Sequence, residues 1–144
     1  MMFEVIDFTQ GSLDLENFKK NLEKISKELD LKEKKIIFYL IGSSRMRKLN
    51  KKFRKKNRVT SVLSFSSPKE FVYPKGKEIF GEIFLCPSYI KKIARRINLD
   101  FWQYLLEIAV HGILHLLGFD HQNEKEAKIF KTKEKEILEK ISKL

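Results

Sequence analysis

A lone cysteine, Cys86, excludes an intrachain disulfide and any zinc site assembled from several thiolates. Proline and glycine are sparse too, at three and six residues in 144, and are scattered along the chain. No Pro/Gly-rich linker and no repeat divides it, so residues 1–144 are expected to form one domain. Long apolar runs are also missing. The stretch Met1 to Asp7 carries acidic residues and no apolar core of signal-peptide length. Nothing later approaches the roughly 18 uninterrupted apolar residues of a membrane span. The expectation is a soluble, cytoplasmic monomer with no membrane association.

Acidic residues are in deficit. Nineteen Asp and Glu face thirty Lys and Arg, a formal net charge of +11. An excess of this size draws polyanions by long-range attraction, with nucleic acid the usual partner and an anionic membrane surface the rival. A Lys-rich surface of the heat-adapted kind, implying no partner, is the bland reading. Between residues 45 and 58 stand Arg45, Arg47, Lys48, Lys51, Lys52, Arg54, Lys55, Lys56 and Arg58 without one acid. Like charges so concentrated repel one another, which a phosphate backbone lying along them would offset. A solvated helix face is the alternative. Only Met46, Leu49 and Phe53 supply apolar surface there, too little for a membrane-bound helix.

What the chain does have is apolar material for a core: 42% of residues, twelve of them Phe. A strand is predicted over 2–8 and a helix over 14–29, where Leu15, Phe18, Leu22, Ile25 and Leu29 recur at threes and fours. The run Ile36 to Ile41 predicts a strand covered on both faces. Gly42-Ser43-Ser44 offers a turn and a cap for a basic helix, or helix plus loop, over 45–58. Val62 to Phe65 and Ile79 to Cys86 read as strands, with a loop over Pro68 to Gly76 between them. Helices follow at 88–97 and 101–117, the second capped by Asp100 and stopped by Gly118. The last helix opens on Asn123 and Glu126 as a capping box and runs to Leu144, with Phe130, Ile137, Ile141 and Leu144 as its apolar stripe. Phe101, Trp102 and Tyr104, at a helix start, read as core or sheet-packing groups, with stacking of one of them on a base as the alternative, and Cys86 as a small buried hydrophobe. Strands and helices interleave without strict alternation, which indicates an α+β fold with a small sheet.

The three histidines all lie within the run His111-Gly-Ile-Leu-His115-Leu-Leu-Gly-Phe-Asp-His121. His111 and His115 stand one helical turn apart and project from one face. Gly118 can turn the chain back, bringing His121 to a third corner. Three imidazoles with a fourth position open make a catalytic type of zinc site, able to lower the pKa of a bound water. The alternative, two partnerless imidazoles among Ile108, Val110, Ile113 and Leu114, costs roughly 1–3 kcal/mol for each buried ring. The spacing is that of the metzincin peptidases, but Gly112 stands where those enzymes carry their general-base Glu. A protease is thereby disfavoured and the metal kept.

The run from His111 to His121 resembles the signature of the YbeY family of bacterial endoribonucleases, His-Gly-x-Leu-His-Leu-x-Gly-aromatic-Asp-His, at every fixed position. Thr60 to Phe65 is similar to that family's Thr-Asp/Asn-Val-Leu-Ser-Phe-Pro block. Phe53-Arg54 resembles the pair carrying its functionally important arginine, and Gly81-Glu82-Ile83 its Gly-Asp-Ile. Ser61, Ser66 and Glu82 depart from the pattern, and none is a proposed ligand.

The resemblance implies a zincin-like α+β fold, a small mixed sheet packed with helices. It implies metal-dependent cleavage of single-stranded RNA, in maturing the 3′ end of small-subunit ribosomal RNA and in ribosome quality control. His111, His115 and His121 would hold one zinc ion per chain, although imidazole sites also accept nickel and copper. Arg54 would steady charge on the phosphoryl transition state. Lys51, Lys52, Lys55, Lys56 and Arg58 would bind substrate, and Asp120 would orient His121, take a proton or serve the turn. Single-stranded RNA and the small ribosomal subunit are the expected partners. Two rivals share these features: a zinc-stabilised RNA- or ribosome-binding module that cuts nothing, and a divergent zincin-type peptidase.

Overall fold

The computed structural model describes residues 3–31, 34–67 and 79–143; the loop expected over 68–76 and Leu144 of the last helix lie outside them. In chain order the elements are β1 (Phe3–Asp7), α1 (Glu16–Glu28), β2 (Lys35–Leu40), α2 (Ser43–Arg54), β3 (Val62–Ser66), β4 (Ile79–Leu85), α3 (Pro87–Arg96), α4 (Phe101–Leu116) and α5 (Glu124–Ser142). The strands form one sheet in the order β1-β2-β4-β3, with β1, β2 and β4 parallel and β3 antiparallel at the edge. This is the α+β class with a small mixed sheet.

The apolar run predicted as a doubly covered strand is interior β2, between two parallel neighbours. Its Ile36, Phe38 and Leu40 point to one face and are fully buried, and Ile37 and Ile41 on the other are buried as well. On the first face Phe38 meets Phe3 and Phe18 edge-on, at 5.5 and 6.3 Å between ring centroids. Phe18 comes from α1, whose buried stripe is Phe18, Leu22 and Ile25. A smaller cluster, Ile41, Met46, Leu63 and Cys86, joins α2 to the opposite face. Cys86 is fully buried, as expected.

Helix α4 is the central helix. Leu105, Ala109, Val110, Gly112, Ile113, Leu114 and Leu116 are all buried, because the helix packs on β3 and β4 while α5 lies against it from another side. Two glycines set how closely it sits. A Cβ on Gly112 would come within 3.0 Å of the Ile83 side chain and 3.1 Å of Ser64 Oγ. A Cβ on Gly81 would meet the end of Leu116 at 2.7 Å. Helix and strand thus each give up a side chain where the other projects one.

Asp100 caps α4 through the Gln103 amide, as expected. Asn123 caps α5 through the Glu126 amide, while Glu126 reaches back to the amide of Gln122 rather than of the cap residue itself. The cap of α2 falls within Gly42-Ser43-Ser44 as expected: it is Gly42, in extended conformation and without a side-chain hydrogen bond, and the helix begins at Ser43. One expectation needs correction. Trp102 is not a core group: it is 37% exposed and with Phe8 and Phe101 walls a cavity of about 790 Å³ at the N-terminal end of α4. Phe101 and Tyr104 do pack on the core.

Candidate metal centre

The apolar periodicity of α4 fixes which way its histidines point. With Gly112 and Leu116 turned to the sheet, His111 and His115 face α5, and their Nε2 atoms lie 3.1 Å apart. The helix then ends in the arrangement predicted from Gly118, which has φ +97°. The Gly118 amide bonds the His115 carbonyl at 3.1 Å and the Phe119 amide bonds that of Leu114 at 3.0 Å, a Schellman motif. This reversal delivers His121, whose ring lies 5.4 Å from that of His111 and 5.0 Å from that of His115. One ligand nitrogen from each histidine falls within 4.8 Å of the others.

The set fits a cation that prefers imidazole. Donors of a tetrahedral ion at 2.0–2.1 Å stand about 3.3 Å from one another, so the His111 and His115 nitrogens are nearly in place and His121, which is exposed, needs a small approach. Burial, then the neighbouring His111 and His121, push the His115 pKa down; Asp120 opposes this and the positive Arg54 reinforces it. A lowered pKa keeps the imidazole neutral, its lone pair free for a metal, to lower pH than free imidazole. The three histidines can therefore hold a metal ion.

One wall of the site was not read from the sequence as part of it. Phe130 of α5, only 2% exposed, lies against all three rings at centroid distances of 4.7, 5.1 and 5.3 Å. One turn further along α5, Glu134 places Oε1 3.6 Å from His111 Nδ1. Glu107 of α4 has its pKa raised, by burial first and by the Glu134 charge second. One sign of this is legible in the sequence, since Glu134 stands four residues after Phe130, a member of the apolar stripe of α5.

Arg54 is the last residue of α2 and is exposed, yet its charge is felt at His115. The preceding Phe53 packs edge-on against Phe65 of β3 at 5.0 Å, which seats the end of the helix beside the edge strand. Lys51, Lys52, Lys55, Lys56 and Arg58 are all exposed in the same segment. The helix stops where Lys55 turns left-handed at φ 61°, and buried Asn50 ties the following loop down. Its Nδ2 donates to the Arg58 carbonyl at 2.9 Å, and its own carbonyl accepts from the Lys56 amide at 3.3 Å. Asp120 accepts the His121 amide at 2.8 Å, a hydrogen bond within the turn.

A small mixed sheet carrying a His-x-x-x-His helix, with a third histidine supplied by the turn that ends it, defines the zincin-like class of metal-site proteins. Within that class the chain belongs to the endoribonuclease YbeY family, whose model matches residues 6–142. It is similar to the Endoribonuclease YbeY of Thermotoga maritima, 36% identical over 97% of this chain and 89% of the relative. It also resembles that of Thermodesulfovibrio yellowstonii, 41% identical over 70% of this chain and 63% of the relative. Among solved structures, the solution structure of a Thermotoga maritima protein superposes with a TM-score of 0.68 at 35% identity, covering 97% of this chain and 89% of that one. No helix among the described residues is long and apolar enough to cross a membrane.

Proposed function

We propose that this chain is a zinc-dependent endoribonuclease that cuts single-stranded RNA and serves in maturing the 3′ end of small-subunit ribosomal RNA and in ribosome quality control. One observation carries the chemical part: three imidazoles converge on one point without a carboxylate, within reach of the Arg54 charge. The relatives are named endoribonucleases, and the ribosomal role rests on the family resemblance.

The residues divide the work as follows. His111, His115 and His121 bind the zinc, one ion per chain, which when bound supplies Lewis acidity toward the scissile phosphate. Arg54 presents its forked donors to the charge that grows on the phosphoryl oxygens. The exposed Lys51, Lys52, Lys55, Lys56 and Arg58 hold the flanking backbone. Asp120 stiffens the turn that presents His121.

Two observations count against the rivals. Gly112 faces Ile83 and Ser64, so a glutamate there would press into the sheet instead of serving as a peptidase base. Among the described residues the metal-competent group holds three side chains, whereas a purely structural zinc favours four. The test is incubation of the protein with labelled single-stranded and duplex RNA, with and without a chelator. Cutting of the single strand alone, stopped by the chelator and restored by zinc, is expected. Intact RNA in the presence of zinc-loaded protein overturns the proposal.

A further inference from the structure

His111 has two ring nitrogens and the structure gives each a different neighbour. Its Nε2 lies 3.1 Å from His115 Nε2, toward the convergence point, while its Nδ1 lies 3.6 Å from Glu134 Oε1. A neutral imidazole carries one proton, and the nitrogen that carries it cannot bind a metal. The side chains of His111 and Glu134 are 28% and 21% exposed, so water competes weakly for either group. Among the described residues, His111 is the basic side chain that lies within 4 Å of the Glu134 carboxylate.

We propose that Glu134 is a positioning residue: it accepts the Nδ1 proton of His111, fixing the tautomer whose bare Nε2 faces the metal and raising the ligand strength of that ring. The inference rests on the histidines being a metal site, as proposed above. Phe130, one turn before Glu134 on the same helix, packs on the same ring. Helix α5 thus holds His111 by its face and by its outer nitrogen together.

The proposal is tested on the full chain with Glu134→Ala, Glu134→Gln and, as a control on the exposed side of α5, Glu139→Ala. Zinc affinity is read by chelator competition, and the His111 tautomer by long-range proton–nitrogen correlation on metal-free protein with labelled histidine. Expected are an Nδ1-protonated His111 in the parent and a mixture of tautomers in Glu134→Ala. Zinc affinity should fall about 10–100-fold in Glu134→Ala and about tenfold in Glu134→Gln, where the amide oxygen keeps the hydrogen bond and loses the charge. Glu139→Ala should match the parent in both. An unchanged tautomer or unchanged zinc affinity in Glu134→Ala overturns the proposal. Should that variant not fold, unchanged affinity in the near-isosteric Glu134→Gln does so. A parent chain that binds no zinc sinks the metal reading instead, and the tautomer spectra then judge Glu134 separately.

Discussion

The hydroxyl of Ser64, on edge strand β3, donates a hydrogen bond of 3.2 Å to the carbonyl of Gly112, the residue next to His111. The sheet thus grips the histidine-bearing helix by its backbone at the one place where that helix has no side chain to keep them apart.

Substitution at Gly112 should therefore be costly although helices favour alanine. Alanine gains about 1 kcal/mol of helix propensity, but its Cβ presses on Ile83, which is wholly buried, and on the bonded Ser64. Overpacking of this kind costs about 1–3 kcal/mol. Gly112→Ala should lower the urea midpoint, and Gly112→Glu should lower it further without creating peptidase activity. Proteolysis by Gly112→Glu would show that this face of α4 opens to the site after all.

Phe130 is expected to act on the site as well as on the core. Phe130→Leu keeps most of the volume and should cost about 1 kcal/mol of stability, yet it removes the flat surface common to the three imidazoles. Zinc affinity, measured by chelator competition, should fall. A stability loss with undiminished zinc affinity would assign Phe130 to packing alone.

Arg54→Ala should retain its zinc and cut RNA about 10²–10³-fold more slowly, the usual loss when one donor to transition-state charge is removed. Arg54→Lys should recover only part of the rate, since a point charge lacks the guanidinium fork. Zinc content by elemental analysis and single-turnover rates check both; zinc lost along with activity refutes the role.

The exposed cations of the same segment should behave as phosphate contacts. Each of Lys51, Lys52, Lys55, Lys56 and Arg58 that touches RNA should, when changed to alanine, lessen the slope of log affinity against log salt by about 1. Unchanged slopes for all five would leave them a solvated surface.

Glu107 gives a pH signature. Its pKa lies above the ordinary 4.5 through burial and the nearby Glu134 charge, so the folded protein favours its protonated form. The stability this contributes is fully present below that ordinary value and is lost as pH rises through the raised one. Glu107→Gln, neutral throughout, should match the parent near pH 4 and exceed it at pH 7 in urea unfolding of metal-free protein. Equal midpoints at both pH values would contradict the shift.

The part of this molecule that was legible in the sequence is the part governed by local rules. Helical spacing put His111 and His115 on one face, and Gly118 announced the reversal that carries His121 to them. Asp100 and Asn123 marked helix starts because a short polar side chain there satisfies an end amide. What escaped notice depends on contacts between elements distant in sequence. No local pattern says that α5 folds back on α4, so apart from its spacing to Phe130 nothing in the sequence sets Glu134 apart from the other acids of that helix. Apolar character alone points Trp102 toward the core or the sheet, whereas its position at the first turn of α4 leaves it beside a cavity. The order β1-β2-β4-β3 depends on strand pairing, which a strand pattern cannot specify.

Asn50 has a consequence for how RNA would arrive. By fastening the Lys56–Arg58 loop to α2 from within, it sets the spacing of those cations when the chain folds. Little ordering of the loop backbone then remains to be charged against complex formation. If RNA binds here as proposed, a strand would find a rail already laid, and its capture would be quick, limited by diffusion and charge more than by rearrangement.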